Sequence, residues 1–297
     1  MDAGIESLRT AVDARLAAVL PEPSVGPARL MDAMRYSVLA PAKRVRPLLT
    51  LLAAEQLGGS ALAALDPAVA VELVHAASLV LDDLPSMDDA RERRGRPANH
   101  LVYGEDTAIL AGVALLNQAY QVLAGAPLPE GVRVRAVTVL SEAVGVDGLT
   151  GGQEFDLKAV DGADIGPEDV ERTYRLKTAV LFGAAAELGG LSVGGSATET
   201  ASLRRFGIRM GLAFQAFDDL LDAHATAATV GKDVGQDAGK PTFVSLLGRD
   251  RTESYARNLV DQALQDLAQT GGRDTRLAKF SLALVGRMTA PLSRSPA

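Results

Sequence analysis

Ile5-Glu6-Ser7-Leu8-Arg9-Thr10-Ala11-Val12-Asp13-Ala14-Arg15-Leu16-Ala17-Ala18-Val19-Leu20-Pro21 opens the chain with the pattern that decides its fold. Ile5, Leu8, Val12, Leu16 and Val19 recur at steps of three and four, so one apolar stripe runs along a helix. The Pro21-Glu22-Pro23 break ends it. The same period repeats almost everywhere downstream. Asp66-Pro67 reads as an N-cap followed by proline at the first helical position, and Ser196-Ala197-Thr198-Glu199 has the capping-box pattern. Gly166-Pro167-Glu168 and Asp274 read as further helix starts. No convincing period-two strand, fixed-length repeat or low-complexity linker interrupts the series. The Gly/Pro stretches near 125–131 and 189–196 have the size of helix-helix connections. The expectation is an all-α, single-domain helical bundle over residues 1–297, with a loose tail at about 291–297.

Composition narrows the function classes. A chain of 297 residues can bury one large core. Its 30 basic and 37 acidic side chains leave a net charge of −7, which argues against nucleic acid as a partner, because duplex binding needs a basic surface. The absence of cysteine excludes disulfides, thiolate zinc sites and cysteine nucleophiles. No run of about 18 consecutive apolar residues occurs, so no membrane span is expected. The opening residues alternate Asp2, Glu6 and Arg9 with apolar side chains and do not read as a secretory signal; the expected compartment is the cytoplasm.

The acidic residues are unevenly spread. Asp82, Asp83, Asp88 and Asp89 crowd one stretch and Asp218, Asp219 and Asp222 another, each preceded by a strongly apolar run. On a helix Asp218 and Asp222 sit one turn apart on one face, where they can share a hard cation. A solvated face or helix cap is the plain alternative for a single pair, but it explains two such clusters in apolar surroundings poorly. With only oxygen donors in the clusters, the expected ion is Mg²⁺. Pro85 breaks the helical register inside the first cluster, and spacing does not choose between Asp88 and Asp89.

Two basic sets accompany the acids. Arg91, Arg93, Arg94 and Arg96 follow the first cluster, and if helical, Arg93 and Arg94 point about 100° apart and clamp two different anions; the alternative is that they neutralise the aspartates. Lys43-Arg44-Val45-Arg46-Pro47 precedes an apolar helix, where cations oppose the macrodipole and so suggest an anion instead. His75 lies two turns before Asp82 on the same face, although a lone histidine is commonly a satisfied core residue. Lys177-Thr178, Gln215, Lys232 and Lys240 are each weak signals alone. Together these residues describe magnesium-bound carboxylates between two sites for polyphosphate groups, within an apolar bundle.

The order of these motifs resembles the signature of trans-isoprenyl diphosphate synthases. It includes Ala42-Lys43-Arg44-Val45-Arg46-Pro47, the stretch 75–89, Arg93-Arg94-Gly95-Arg96-Pro97, Gly151-Gly152-Gln153-Glu154-Phe155-Asp156, Lys177-Thr178, the stretch 214–222, and the lysines at 232 and 240. Residues 81–95 with Tyr103-Gly104-Glu105 are most similar to bacterial geranylgeranyl diphosphate synthases. The resemblance implies a terpenoid-synthase-like fold around a deep central cavity, a homodimer, and three Mg²⁺ ions when substrate is bound. It implies Asp82 and Asp88 as ligands of two ions and Asp218 of the third, with Asp219 and Asp222 in support. Lys43, Arg46, His75 and Arg94 would then hold isopentenyl diphosphate. Arg93, Lys177, Gln215, Lys232 and Lys240 would hold an allylic diphosphate, with Lys177, Thr178 and Gln215 also stabilising the allylic cation. Ala42 in place of a usual glycine, Ala98 in place of a common threonine, and Arg91-Glu92 depart from the pattern without removing a charged ligand.

Counting back from Asp82, Ser78 lies one turn below, Val74 two and Val71 three, with Ala77 beside Ser78. An extended isoprene unit is about one helical turn long, about 5.4 Å. Family members that stop at fifteen carbons tend to carry an aromatic side chain near the positions of Ala77 or Ser78. Small residues at both lead to the expectation of a twenty-carbon product, geranylgeranyl diphosphate. The alternatives are farnesyl or longer polyprenyl products, or a class I terpene cyclase, which would leave Lys43, Arg46 and His75 without purpose.

Overall fold

Apolar periodicity becomes helix nearly throughout the computed structural model, which describes residues 3–22, 24, 26–159, 165–224, 240–272 and 274–292. Helices α1 (Ala3–Val19), α2 (Ala28–Val38), α3 (Val45–Gln56) and α4 (Leu65–Asp82) lead to a two-stranded hairpin, β1 (Glu92–Arg93) and β2 (Arg96–Pro97). There follow α5 (Asn99–Tyr103), α6 (Glu105–Ala124), α7 (Glu130–Val144), α8 (Leu149–Lys158), α9 (Pro167–Tyr174), α10 (Val180–Ser192) and α11 (Ala197–Asp222). The chain closes with α12 (Phe243–Leu247), α13 (Arg249–Ala268) and α14 (Arg276–Thr289). A 3-10 turn, Ala61–Ala64, leads into α4, and a π turn, Arg175–Ala179, joins α9 to α10.

The all-α expectation holds. α4 is apolar on almost every side because it is surrounded by α3, α6 and α10, while α11 packs between α10 and α13. The expected helix starts at 166–168 and 196–199 are present: Asp169 accepts from the Gly166 N–H at 3.0 Å, and Glu199 accepts from the Ser196 N–H at 2.8 Å. The start read at Asp274 lies one residue on, where Thr275 Oγ1 accepts from the Ala278 N–H at 3.3 Å.

Three readings are corrected by neighbours that local sequence does not encode. Asp66 is not a cap: the helix begins one residue earlier, and the Asp66 carboxylate accepts from Arg15 Nε at 2.7 Å. Gly189 and Gly190 are not a break but lie inside α10, where a Cβ on Gly189 would fall 2.1 Å from the Thr50 carbonyl oxygen of α3. Only a hydrogen atom fits there, so the residue type reports a close crossing of two helices. Arg93 and Arg94 are not on a helix: Arg93 ends β1 and Arg94 turns the hairpin with φ +57°. The expectation of no membrane span stands: two helical segments, Ala61–Asp82 and Glu105–Ala124, are long and apolar enough to cross a membrane by composition alone, but 72% of the apolar stretch of the first is buried in the bundle.

Candidate active site

The ends of α4 and α11, the π turn, the hairpin and the segment before α12 meet at one end of the bundle. α4 stops at Asp82 because Pro85 cannot continue the helical ladder. The chain then folds back, and the Asp88 N–H donates to the Asp82 carbonyl at 2.9 Å. This turn separates the two aspartates that spacing leaves equivalent: Asp88 is half-buried with Lys240 Nζ 3.6 Å from its carboxylate, whereas Asp89 is exposed with φ +46°. Burial pushes the Asp82 carboxyl up to about 6; Lys177 and Arg93 oppose that rise, and Asp88 and Asp83 add to it.

In the second cluster the buried member is Asp219. It accepts from Tyr174 Oη at 2.9 Å, from the Phe243 N–H at 3.2 Å and from Gln215 Nε2 at 3.4 Å. Burial nevertheless pushes its carboxyl up to about 7, with Asp218 adding to the rise. Asp218 is half-buried and Asp222 exposed. Among the described residues no three acidic or histidine side chains come close enough to hold a metal by themselves.

The π turn presents Lys177 and Thr178 to this centre. A π turn widens the helix by one residue and re-aims the side chains it carries. Lys177 Nζ donates to Asp156 Oδ2 at 2.6 Å, and Lys240 Nζ donates to the same oxygen at 2.8 Å. Thr178 Oγ1 donates to Gln215 Oε1 at 3.2 Å, which leaves the Gln215 NH₂ for Asp219 and links the turn to α11. Two tight crossings hold the turn in place: a Cβ on Gly152 of α8 would lie 2.3 Å from the Lys177 nitrogen, and one on Gly211 of α11 would lie 2.6 Å from the Ala179 Cα. Lys232 lies outside the described residues.

The second basic set divides by role. Arg44 is 4% exposed, and its guanidinium donates to Asp13 at 2.8 Å, Glu72 at 2.7 Å and the Val38 carbonyl at 2.7 Å, so it is a buried bolt and not an anion ligand. Lys43 is exposed beside it. Arg46 turns to the other side of α3, stacks 4.6 Å from the Phe182 ring centroid and donates to His75 Nε2 at 3.2 Å. Arginine has no acceptor, so Nε2 is the unprotonated nitrogen and the ring proton sits on Nδ1. Burial, reinforced by Arg46 and Arg94, holds the His75 pKa well below its usual value. Burial, reinforced by Arg94 and opposed by Glu72, lowers Arg46 to about 10, and the buried Arg46 Nε has no hydrogen-bond partner. Arg94 reaches within 4.0 Å of Glu72. Arg93 instead grips Asp83, with Nε 2.9 and 3.2 Å from the two carboxylate oxygens, as the neutralising alternative expects.

Below Asp82, Ala77 and Val74 are fully buried and Ser78 is half-buried, its hydroxyl donating to the His75 carbonyl at 2.9 Å. Sequence reasoning left four members of this site without a role: Glu72, Asp83, Asp156 and Tyr174. Asp156 had a signal, since it closes the stretch 151–156. Glu72 and Tyr174 had none, because a charged or aromatic residue at helical spacing is ordinary until its partner is known.

Residues 27–280 match the polyprenyl synthetase family. Geranylgeranyl pyrophosphate synthase 7, chloroplastic, of Arabidopsis thaliana is 43% identical over 263 residues, covering 87% of this chain and 75% of the plant protein. A geranylgeranyl pyrophosphate synthetase of the archaeon Geoglobus acetivorans superposes with a TM-score of 0.85 at 29% identity, over 95% of this chain and 99% of the other. An FPP/GFPP synthase from Zymomonas mobilis gives 0.81 at 33% identity, over 97% and 96%. The chain therefore belongs to the polyprenyl synthetase family and is a trans-prenyltransferase.

Proposed function

We propose that the chain joins isopentenyl diphosphate head to tail to an allylic diphosphate and releases geranylgeranyl diphosphate, working as one domain and as a homodimer. The observation that carries this reading is the presence of two separate cationic sites at one end of the bundle. Arg46, His75 and Arg94 form one, with Lys43 at its edge; Lys177 and Lys240 form the other, with Arg93 beside the acidic cluster. A cyclase that ionises a single diphosphate has no use for the first. The partnerless Arg46 Nε is the kind of buried donor that a bound phosphate oxygen completes.

The acidic residues fit Mg²⁺. All candidate donors are hard oxygens, and burial raises the Asp82 and Asp219 carboxyls above the usual range, a cost that a cation bound between the clusters would offset. Asp82 and Asp88 would hold two ions and Asp218 a third, with Asp219 and Asp222 in support. When bound, Mg²⁺ supplies neutralisation of the diphosphate leaving group.

Lys177 and Lys240 hold the allylic diphosphate as its C1–O bond breaks and the electron pair leaves with diphosphate. The apolar walls exclude water from the allylic cation, and the linked Thr178 and Gln215 present fixed dipoles to it. Lys43, Arg46, His75 and Arg94 orient isopentenyl diphosphate so that its C3–C4 π electrons form the bond to C1. The departing diphosphate takes the proton that restores the double bond.

Ala77 and Ser78 leave room for a twenty-carbon chain under this reading, with Val74 below them. The dimer is supported by the apolar face of α5 and α6, where Leu101, Leu110 and Val113 are each more than half exposed. A second copy covering that face accounts for a long apolar helix without lipid, in keeping with the cytoplasm as its compartment. Incubation with dimethylallyl, geranyl or farnesyl diphosphate plus isopentenyl diphosphate and Mg²⁺, with products read by chain length, tests the proposal. A dominant twenty-carbon product is expected, and a cyclised hydrocarbon would overturn it.

A further inference from the structure

We propose that Asp156 is a positioning residue for the allylic site: it acts as a resident counter-anion that aims Lys177 and Lys240 at the incoming diphosphate. The inference rests on the reading above that these two lysines hold the allylic partner.

Three observations carry it. First, both ammonium groups bind one and the same oxygen, Asp156 Oδ2, at 2.6 and 2.8 Å. Two like charges that close repel strongly in a half-buried setting, so without Asp156 the lysines would splay. Second, the lysines reach this point from parts of the chain far apart in sequence, Lys177 on the π turn and Lys240 just before α12; Tyr174 and Phe243, whose rings pack 5.3 Å apart and which both bond Asp219, bring the two segments together, and Asp156 is the acceptor the two ammonium groups share. Third, α8 is seated rigidly: Gly152 lies against the Lys177 backbone so closely that no side chain fits, and Asp156 stands one turn further along α8. Burial pushes the Asp156 carboxyl up, but the two lysines outweigh it and hold the group below the usual carboxylate range, so it stays charged.

The arrangement does not compete with substrate. Each ammonium has three N–H donors; one points to Asp156, and Lys240 also lies 3.6 Å from Asp88. An ammonium group can bond a phosphate oxygen while it keeps its bond to Asp156, and that bond sets its direction. Asp156 therefore works through the lysines and does not itself touch an anion.

Asp156→Asn keeps the shape and removes the charge. The expected result is a KM for the allylic diphosphate raised about tenfold or more, as for loss of a charge-assisted contact, with the KM for isopentenyl diphosphate within about twofold of wild type and thermal stability little changed. Asp156→Glu restores the charge and should return most of the allylic KM. The Kd of inorganic diphosphate with Mg²⁺, read by calorimetry, should weaken in parallel. In a Lys240→Met background the Asn substitution should cost less than in wild type, because part of its route is gone. If Asp156→Asn does not fold, Asp156→Ser takes its place in the same comparisons. Unchanged allylic KM, equal losses for both substrates, no rescue by Glu, or a raised Mg²⁺ requirement in place of a raised KM would each overturn the proposal. Lys177→Met and Lys240→Met measured alone separate the two levels: if neither weakens the allylic substrate, the site reading fails; if both do and Asp156→Asn does not, only this inference fails.

Discussion

The two cationic regions at the end of the bundle are built in opposite ways. On the isopentenyl side, arginines gather around Glu72, which is 2% exposed, and two of them are locked by left-handed backbone, Arg44 at φ +49° and Arg94 at φ +57°. On the allylic side, lysines gather around Asp156, whose side chain is 13% exposed, and they are carried by a π turn and a segment outside any helix. Arginine forks around a buried carboxylate make a rigid cradle, whereas ammonium groups on flexible stems adapt. The difference matches the chemistry proposed: one diphosphate remains attached to carbon throughout, and the other changes from ester to free ion.

The largest effect should come from the carboxylates that lie between the two regions. Asp82→Asn or Asp218→Asn is expected to lower kcat by two orders of magnitude or more, on the order of 2.7 kcal/mol in the barrier, while circular dichroism shows the helices intact. Removing one member of a self-repelling cluster should leave the metal-free melting temperature level or slightly higher. Near-normal turnover would remove these residues from the reaction.

Stability separates the two hubs. Glu72→Gln takes away the buried one of the two carboxylates that Arg44 bonds, leaving Asp13 and the Val38 carbonyl, and is expected to cost about 1.5–3 kcal/mol in denaturant unfolding. Asp156→Asn, in its half-open setting, is expected to cost about 1 kcal/mol or less. Equal losses would erase the distinction between a rigid and an adaptable side.

Substrate affinity gives the next contrast. Lys43→Ala and Arg46→Ala should each raise the KM for isopentenyl diphosphate about ten- to a hundredfold, the value of a charge-assisted contact of about 1.5–3 kcal/mol, and spare the allylic KM. Equal losses for both substrates would merge the two sites into one.

Chain length follows. Ala77→Tyr or Ser78→Phe should shift the main product to fifteen carbons, since overpacking costs about 1–3 kcal/mol against a longer tail, a bias of roughly five- to a hundredfold. A folded Ala77→Tyr protein with unchanged products would mean that the tail runs along another face and that Ala77 is small for helix packing alone.

The smallest effect is one of pH. His75 is held below its ordinary pKa, so between that value and about pH 6.5 the unfolded chain binds a proton that the folded chain refuses, and this residue's contribution to stability falls as pH falls. Asp82 and Asp219, with raised values, act in the opposite direction. The difference between wild type and His75→Gln isolates the histidine: it should be flat above pH 7 and change by at most about 1.4 kcal/mol per pH unit below 6.5. Parallel unfolding curves at pH 5.5 and 7.5 would show that His75 keeps its ordinary pKa.

The sequence by itself determined the helical class, the helix starts at Pro167 and Ala197, and the grouping of acids and bases into one chemistry. Each of these is written in local periodicity or in runs of like charge, which need no partner to be read. Tertiary structure alone decided which members of the runs do what. Arg44 and Arg46 are two residues apart, yet one is a buried bolt and the other bonds His75 with its Nε left without a partner, because the start of α3 presents them to different neighbours. Asp88 and Asp89 were separable only once the turn after Pro85 aimed one at Lys240 and the other at solvent. Gly189 looked like a break until α3 was found against it, and Arg93 and Arg94 looked helical until the hairpin closed. Asp156 gathers lysines 21 and 84 residues away, a convergence that no spacing rule along the chain records.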